Sequence, residues 1–346
     1  MGIYIYCLLS IPLFWGGIRV LNLSLKRSRL LFFTIAGIQL FLIAALRGET
    51  VGTDLENYLP AFKTIVNTSW DAIFEIDWEP GYIVFNKLLS LFSDDNRFFL
   101  IVTSLFTTVG YLLFIWKNSK KPWLSVFLLV ALGYYLESFN IIRQSMAMVI
   151  VLHGLIYAQK RCFIKYLLCI LCAMLFHKTA IICLLPYFFF NIRPSIGNFG
   201  IMLVCGSVIS SLSGTMLLSY VIQSSFSTYS LDNEASSGYS MLLFLSFLTV
   251  VSLLFSSKKK EYNLYNHMLI LACFLQLFSL HFTLFARIVV YFSIILIVLV
   301  PNLVAEIKLI RYRVFAESCV VVLAMLYFYV IILSRNLSGV VPYLVG

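Results

Sequence analysis

Three arginines stand where arginine is costly. Arg47 ends an apolar run at the start of "LRGETVGTDLENY", Arg143 opens "RQSMAMVI", and Arg287 falls inside "FTLFARIVVYF". His177 and Lys178 separate two apolar runs in "LFHKTAII", while Asp54 and Glu79 lie in the polar stretches "GTDLENY" and "DWEPGY". Ionisable groups in such places usually face a bundle interior or a water-filled cavity. A lone arginine at a helix end is also a common anchor. Guanidinium groups hold phosphate oxygens through paired hydrogen bonds and keep their charge. Arg47, Arg143 and Arg287, with Lys178 in reserve, therefore suit a pyrophosphate. Asp54, then Glu79, then His177 could take a proton from a hydroxyl. Two alternatives stay open: Asp54 holding Arg47 in place, and Glu79 binding sugar hydroxyls.

Aromatic faces surround these groups in the sequence. Tyr58, Trp78 and Tyr82 could stack on a sugar ring, and Gln144 could bind its hydroxyls. Tryptophans also anchor chains at the membrane interface, and Trp70 and Trp78 suit that role equally. His153 and His267 read as helix-packing residues, and His281, near Arg287, as a weaker site candidate. No zinc-protease, nucleophile-elbow, P-loop or dinucleotide motif is present. The D-x-D pattern that holds a metal in many sugar transferases is also missing. Nothing in the sequence calls for a metal or a cofactor. The eight cysteines sit in or beside apolar runs, so Cys169 and Cys172 read as packing residues and no structural disulfide is expected.

The elements that must position these groups are membrane helices. The chain of 346 residues is 61% hydrophobic and only 12% charged, against about 25% charged in soluble proteins. Apolar runs long enough to span a bilayer recur along its length. About twelve spans are expected, near 3–21, 30–46, 98–116, 122–139, 144–159, 163–177, 179–190, 196–219, 239–256, 264–283, 288–304 and 314–333. The two short ones beside His177 could be half-spans meeting at a break. Residues 1–18 have neither a basic start nor a small-residue cleavage site, so they read as the first span. The expected fold is one all-α polytopic membrane domain over 1–346, with long loops at 47–97 and 220–238.

Charge sorts the connectors into two sets. Seventeen of the 25 basic residues fall in alternate short connectors, such as those holding Lys26, Lys120, Lys121, Lys160 and Lys308. The positive-inside rule makes these connectors cytoplasmic. Twelve of the 15 acids fall on the other side, leaving Glu261, Glu306 and Glu317 inside. The net charge of +10 is then mainly a topology signal and implies no nucleic-acid partner. Both termini and both long loops face outward, so the working face is exoplasmic. In the longer loop, Leu55, Tyr58, Leu59 and Phe62, then Tyr82, Phe85, Leu88, Leu89 and Phe92, recur at helical spacing. They predict two amphipathic helices lying in the interface.

"LRGETVGTDLENY", "EPGY", "RQSMAM" at a helix start, "FHKTA", a late arginine and a terminal "VPY" occur in that order. This series resembles the EpsG-type Wzy polysaccharide polymerases over nearly the whole chain. The resemblance implies a GT-C-like membrane glycosyltransferase, independent of metal, that polymerises O-antigen or capsule in the bacterial inner membrane. It implies a donor glycan on undecaprenyl pyrophosphate, an acceptor repeat unit on the same lipid, and a working face toward the periplasm. Surrounding membrane lipid and a chain-length regulator protein are the further partners expected. Two rivals remain. One is another exoplasmic transferase, such as an O-antigen ligase. The other is a transporter or flippase of lipid-linked glycans, which would place its ionisable groups at the bilayer midplane.

Overall fold

The computed structural model describes residues 1–213, 235–256, 259–336 and 338–346. Helix dominates, and among the described residues the only β pairing is an isolated bridge between Arg47 and Val345. Backbone N–H and C=O groups that leave water for lipid must be paired, and helices pair their own. Among the described residues, six helices are long and apolar enough to cross a bilayer: Gly2–Val20, Leu25–Ala45, Asn96–Asn118, Gly238–Ser256, Leu284–Ala305 and Ile310–Leu333. Four more apolar helices are shorter: Pro122–Ala131, Phe163–Met174, Lys178–Phe189 and Ile196–Leu212. This is an all-helical membrane protein. The loop expected at 220–238 lies outside the described residues as far as 234, and a helix is under way from Ala235.

The chain divides into two compact units. The first comprises 1–155, 164–181 and 304–346, and the second 156–163 and 182–303. From the N-terminus the helices are α1 (Gly2–Val20), α2 (Leu25–Ala45), α3 (Leu55–Asn67), α4 (Pro80–Leu89), α5 (Asn96–Asn118), α6 (Pro122–Ala131), α7 (Tyr134–Glu137), α8 (Ile142–Gln159) and α9 (Phe163–Met174). The expected span 122–139 is interrupted between α6 and α7. The break expected around His177 is present: α9 stops at Met174 and a 3-10 turn starts at Lys178. In the second unit, Ser252 Oγ donates to Asn266 Oδ1 at 2.6 Å and Asn266 Nδ2 to Ser256 Oγ at 2.7 Å. Such buried polar pairs join helices that have no water to turn to. His267 packs as expected, with Nε2 2.7 Å from the Ile192 carbonyl.

The segment 47–97 folds onto the first unit. Its two predicted helices are α3 and α4, and their apolar faces point into protein. Leu55, Tyr58, Leu59 and Phe62 of α3 and Tyr82 and Leu89 of α4 are buried with Phe99, Leu100, Ile142 and Met146. Leu88 and Phe92 stay exposed. Burying a large apolar side chain stabilises by roughly 1.5–3 kcal/mol, so this cluster holds the loop down. Ion pairs follow the charge sets: Lys120 meets Glu306 at 2.9 Å and Lys121 pairs with Glu317. All four belong to the set expected inside.

Lys87 ties α4 to the end of α3. Its buried ammonium donates to the carbonyls of Ile65, Val66 and Thr68 at 3.2, 3.0 and 2.6 Å. Those carbonyls end a helix, where a cation also meets the negative end of the dipole. Lys87→Met keeps the stem and removes the charge. It should destabilise the detergent-solubilised protein by about 2 kcal/mol, the range for hydrogen bonds to a charged group. A thermal-unfolding midpoint equal to that of the parent protein would refute this role.

Candidate active site

The site grows from the local sequence of "WEPGY". Pro80 takes the first position of α4, where a missing N–H costs nothing. The residue before a proline is held extended, and Glu79 has φ −64° and ψ 134°. Gly81 then lets the turn press against the end of α9. A Cβ at that position would lie 2.6 Å from Leu175 Cβ and 2.8 Å from the Leu175 carbonyl oxygen. Tyr82 N donates to that carbonyl at 3.1 Å. The Glu79 carboxylate is thereby aimed at the break that follows α9.

Three distant motifs meet there. Glu79 Oε1 accepts from Lys178 N at 3.2 Å and lies 3.2 Å from His177 Nδ1. Glu79 Oε2 accepts from Arg143 Nη1 in an ion pair. The Arg143 guanidinium lies over the Trp78 ring, 4.1 Å from its centroid, with Tyr58 and Tyr82 at 5.8 and 6.0 Å. Trp78 stacks on Tyr82 at 5.4 Å. Aromatic faces attract a guanidinium through the ring quadrupole. Gln144, the next residue along α8 after Arg143, is buried. The side chain of Lys178 is exposed, while its backbone N–H is what holds Glu79.

Glu79 is only 9% exposed. Burial by itself raises its pKa, but the hydrogen bond from His177 and the charge of Arg143 outweigh burial and hold it at about 2. A carboxylate with that pKa is a weak proton acceptor near pH 7. An ionised carboxylate can only accept hydrogen bonds, so the His177 nitrogen facing it, Nδ1, carries a hydrogen. In the neutral ring, Nε2 is then the nitrogen with the free lone pair. The pair has the form of a base held in one tautomer by an acid that stays charged.

The other predicted residues fall elsewhere. Asp54 occupies the residue before α3 without a side-chain capping bond, and its backbone N donates to Asn140 Oδ1 at 2.6 Å. Thr53 Oγ1 donates to the same oxygen at 2.9 Å. Asn140 precedes Arg143 by three residues, so this contact ties the polar loop to the start of α8. Arg47 is 1% exposed, beneath the surface. It donates to the Ala44 carbonyl and, at 2.9 Å, to Ser104 Oγ, and it lies 4.7 Å from the Phe139 ring centroid. Burial lowers its pKa to about 10, so it remains a cation at neutral pH. Trp70 is exposed, with Lys87 5.9 Å from its ring. Arg287 belongs to the second unit, half-buried on the helix Thr283–Ser293. Asn140 and Ser104 were not singled out by the sequence. Their only signal there is a polar residue inside an apolar run.

The fold and this cluster define an all-helical membrane protein with a charged, aromatic-walled centre built at the ends of its helices. Residues 30–345 match the EpsG family, and the chain belongs to it. Membership suggests a membrane polysaccharide polymerase-like role. No curated protein and no solved structure matches the chain.

The pH dependence of Glu79 has a definite sign. A folded pKa below the unfolded one contributes stability that is present above the unfolded value and lost as the pH falls. The parent protein should therefore exceed Glu79→Gln in stability above about pH 5, where the carboxylate is charged in both the folded and the unfolded chain. That margin should shrink between about pH 4.5 and 2. Unfolding midpoints taken across this range check it, and a margin that does not depend on pH would show that the carboxylate's charge is irrelevant.

Proposed function

We propose that this protein is a Wzy-type polymerase of O-antigen or capsular polysaccharide. It transfers a growing glycan from undecaprenyl pyrophosphate to a repeat unit carried on the same lipid. The single observation that supports this most is the convergence of Glu79, Arg143 and His177 beside the Trp78 and Tyr82 rings. The reaction breaks the bond between the donor sugar's anomeric carbon and the pyrophosphate oxygen. It makes a bond from the same carbon to the acceptor hydroxyl oxygen. The electron pair leaves with the pyrophosphate, and the hydroxyl proton goes to His177 Nε2. Glu79 orients that imidazole and stabilises the imidazolium. Arg143 meets the charge on the leaving group, with Lys178 beside it, because fixed cations aimed at developing charge are often the largest catalytic term. Trp78, Tyr82, Tyr58 and Gln144 hold the sugar.

Asp54 stays a second candidate for the base, placed at the start of α3 and tied to Asn140. Arg287 is kept as a candidate pyrophosphate ligand on its sequence context. Arg47 contributes by fixing the end of α2 beneath the loop. The reading includes about twelve membrane passes, termini and working face outside the bacterial inner membrane, and no metal or cofactor. Family membership and the enclosed charge cluster favour a transferase over a transporter.

Purified protein in detergent, given its lipid-pyrophosphate-linked repeat unit alone, should build a ladder of longer glycans, and a chelator should not change the rate. His177→Gln and Arg143→Ala should each lower that rate by at least about a hundredfold at equal protein level, the scale of losing a general base or a charge-stabilising donor. Near-normal ladders from both variants would sink the assignment.

A further inference from the structure

A second site lies on the other side of α3. A groove of about 570 Å³ is lined by Glu49, Thr53, Leu55, Glu56, Pro60 and Asn96, among others. It shares no residue with the Glu79 centre. Leu55 and Leu59 form its apolar floor and also belong to the buried cluster that carries Tyr58 and Tyr82. The groove and the centre are thus opposite faces of one packed layer. Its volume falls within the roughly 300–1,000 Å³ of small-ligand sites.

The lining chooses the occupant. Glu49 and Glu56 are exposed carboxylates. Asn96 Nδ2 donates to Glu49 Oε2 at 3.1 Å, which sets that carboxylate in place. Lys63, the one cation of the lining, donates to the Asp94 carbonyl. An acid-rich groove repels phosphate and carboxylate groups and accepts hydrogen bonds from hydroxyls. Pro60, exposed beside the edge of Leu59, offers the apolar ledge that the C–H face of a pyranose needs, with Leu55 buried beneath it. The wall is anchored: Gly52, at φ +115°, presses on Phe139, where a Cβ would lie 3.0 Å from the carbonyl oxygen. Its N–H donates to the Gly339 carbonyl at 3.0 Å, and Gly48 N donates to Leu344 O at 2.7 Å. The groove is therefore held open by backbone ties to residues 339–344.

We infer that this groove is a distal glycan subsite, which holds uncharged, hydroxyl-rich sugar residues of the chain while Glu79, His177 and Arg143 act on its linkage. The inference rests on the polymerase reading. A chain gripped away from the reacting bond stays on the protein between additions, so the groove sets product length more than it sets the rate of one transfer.

The test uses the full chain in detergent with Glu49→Ala and Glu56→Ala, two exposed positions outside the catalytic machinery. Two quantities are measured. One is the binding of the free repeat-unit oligosaccharide, released from its lipid and carrying no phosphate, followed by saturation-transfer NMR. The other is the product ladder, split into the rate of the first transfer and the mean chain length. Each variant should bind the free oligosaccharide about tenfold more weakly, as expected for losing a hydrogen bond to a charged group. First transfer should stay within about twofold of the parent, and mean chain length should fall by about threefold or more. Unchanged binding and unchanged length in both variants would overturn the groove while leaving the polymerase reading intact. Loss of first transfer together with length would also overturn it, since the groove would then be part of the reacting centre. Oligosaccharide binding that depends on Glu56, from a protein that builds no ladder, would keep the groove and remove the polymerase.

Discussion

A single carboxylate organises the first unit's chemistry. Glu79 accepts from Arg143, from the backbone of Lys178, and faces His177. Those partners come from three regions of the chain: the turn before α4, the start of α8, and the break after α9. A nearly buried charge without partners is strongly unfavourable, so each segment has a reason to be where it is. Removing one partner of such a group costs more than the pair contributes, because the remaining charge stays in place. The cluster therefore acts as a positional lock as well as a source of charge. Trp78 completes it by covering the face of the guanidinium.

Arg47 has a different office. Its partners are a carbonyl, a serine hydroxyl and an aromatic face. It fastens the end of α2 under the polar loop. Arg97 donates to the Ala45 and Arg47 carbonyls at 2.8 and 2.7 Å, which closes the same corner from the α5 side. Tyr4 and Tyr343 add donors to the Val340 and Ile43 carbonyls, both at 2.9 Å. The terminal "VPY" thus packs against the first and second helices. Two rigid corners result, one around Arg47 and one around Glu79, and α3 runs between them. That helix is amphipathic in a useful way. Its Tyr58 face closes the charged centre, and its Glu56 and Pro60 face opens on the groove.

Much of this was legible in the residues. Composition and apolar runs determined a helical membrane protein, because unpaired backbone groups are excluded from lipid. Helical spacing in 55–62 and 82–89 determined two amphipathic helices, and the short apolar runs on either side of "FHKTA" allowed for a break. The ordered motifs pointed to the EpsG family. Glu79, Arg143, His177, Tyr58, Trp78 and Tyr82 were all named as site candidates from type and context alone. What those residues could not announce was pairing. Nothing in "WEPGY" states that its glutamate meets an arginine 64 positions later, because that contact depends on how helices pack and on the close approach that Gly81 permits.

The tertiary structure also decided roles that type leaves open. Three arginines in apolar contexts look alike as letters, yet packing makes Arg143 an ion-paired, stacked group and Arg47 a buried tether. By type and context alone, Asp54 ranks ahead of Glu79 and His177 as a base. Enclosure by a cation and an imidazole makes Glu79 a charged, fully engaged partner, while Asp54 sits at the start of α3. The groove itself was not legible in advance: "LRGETVGTDLENY" is conspicuously polar for a membrane chain, but only the fold brings its Glu49 and Glu56 around one space with Asn96. Local composition settles what a segment can do in lipid or water. Only the distances between segments settle which charges share a proton, which are spent on holding the chain, and which face an opening.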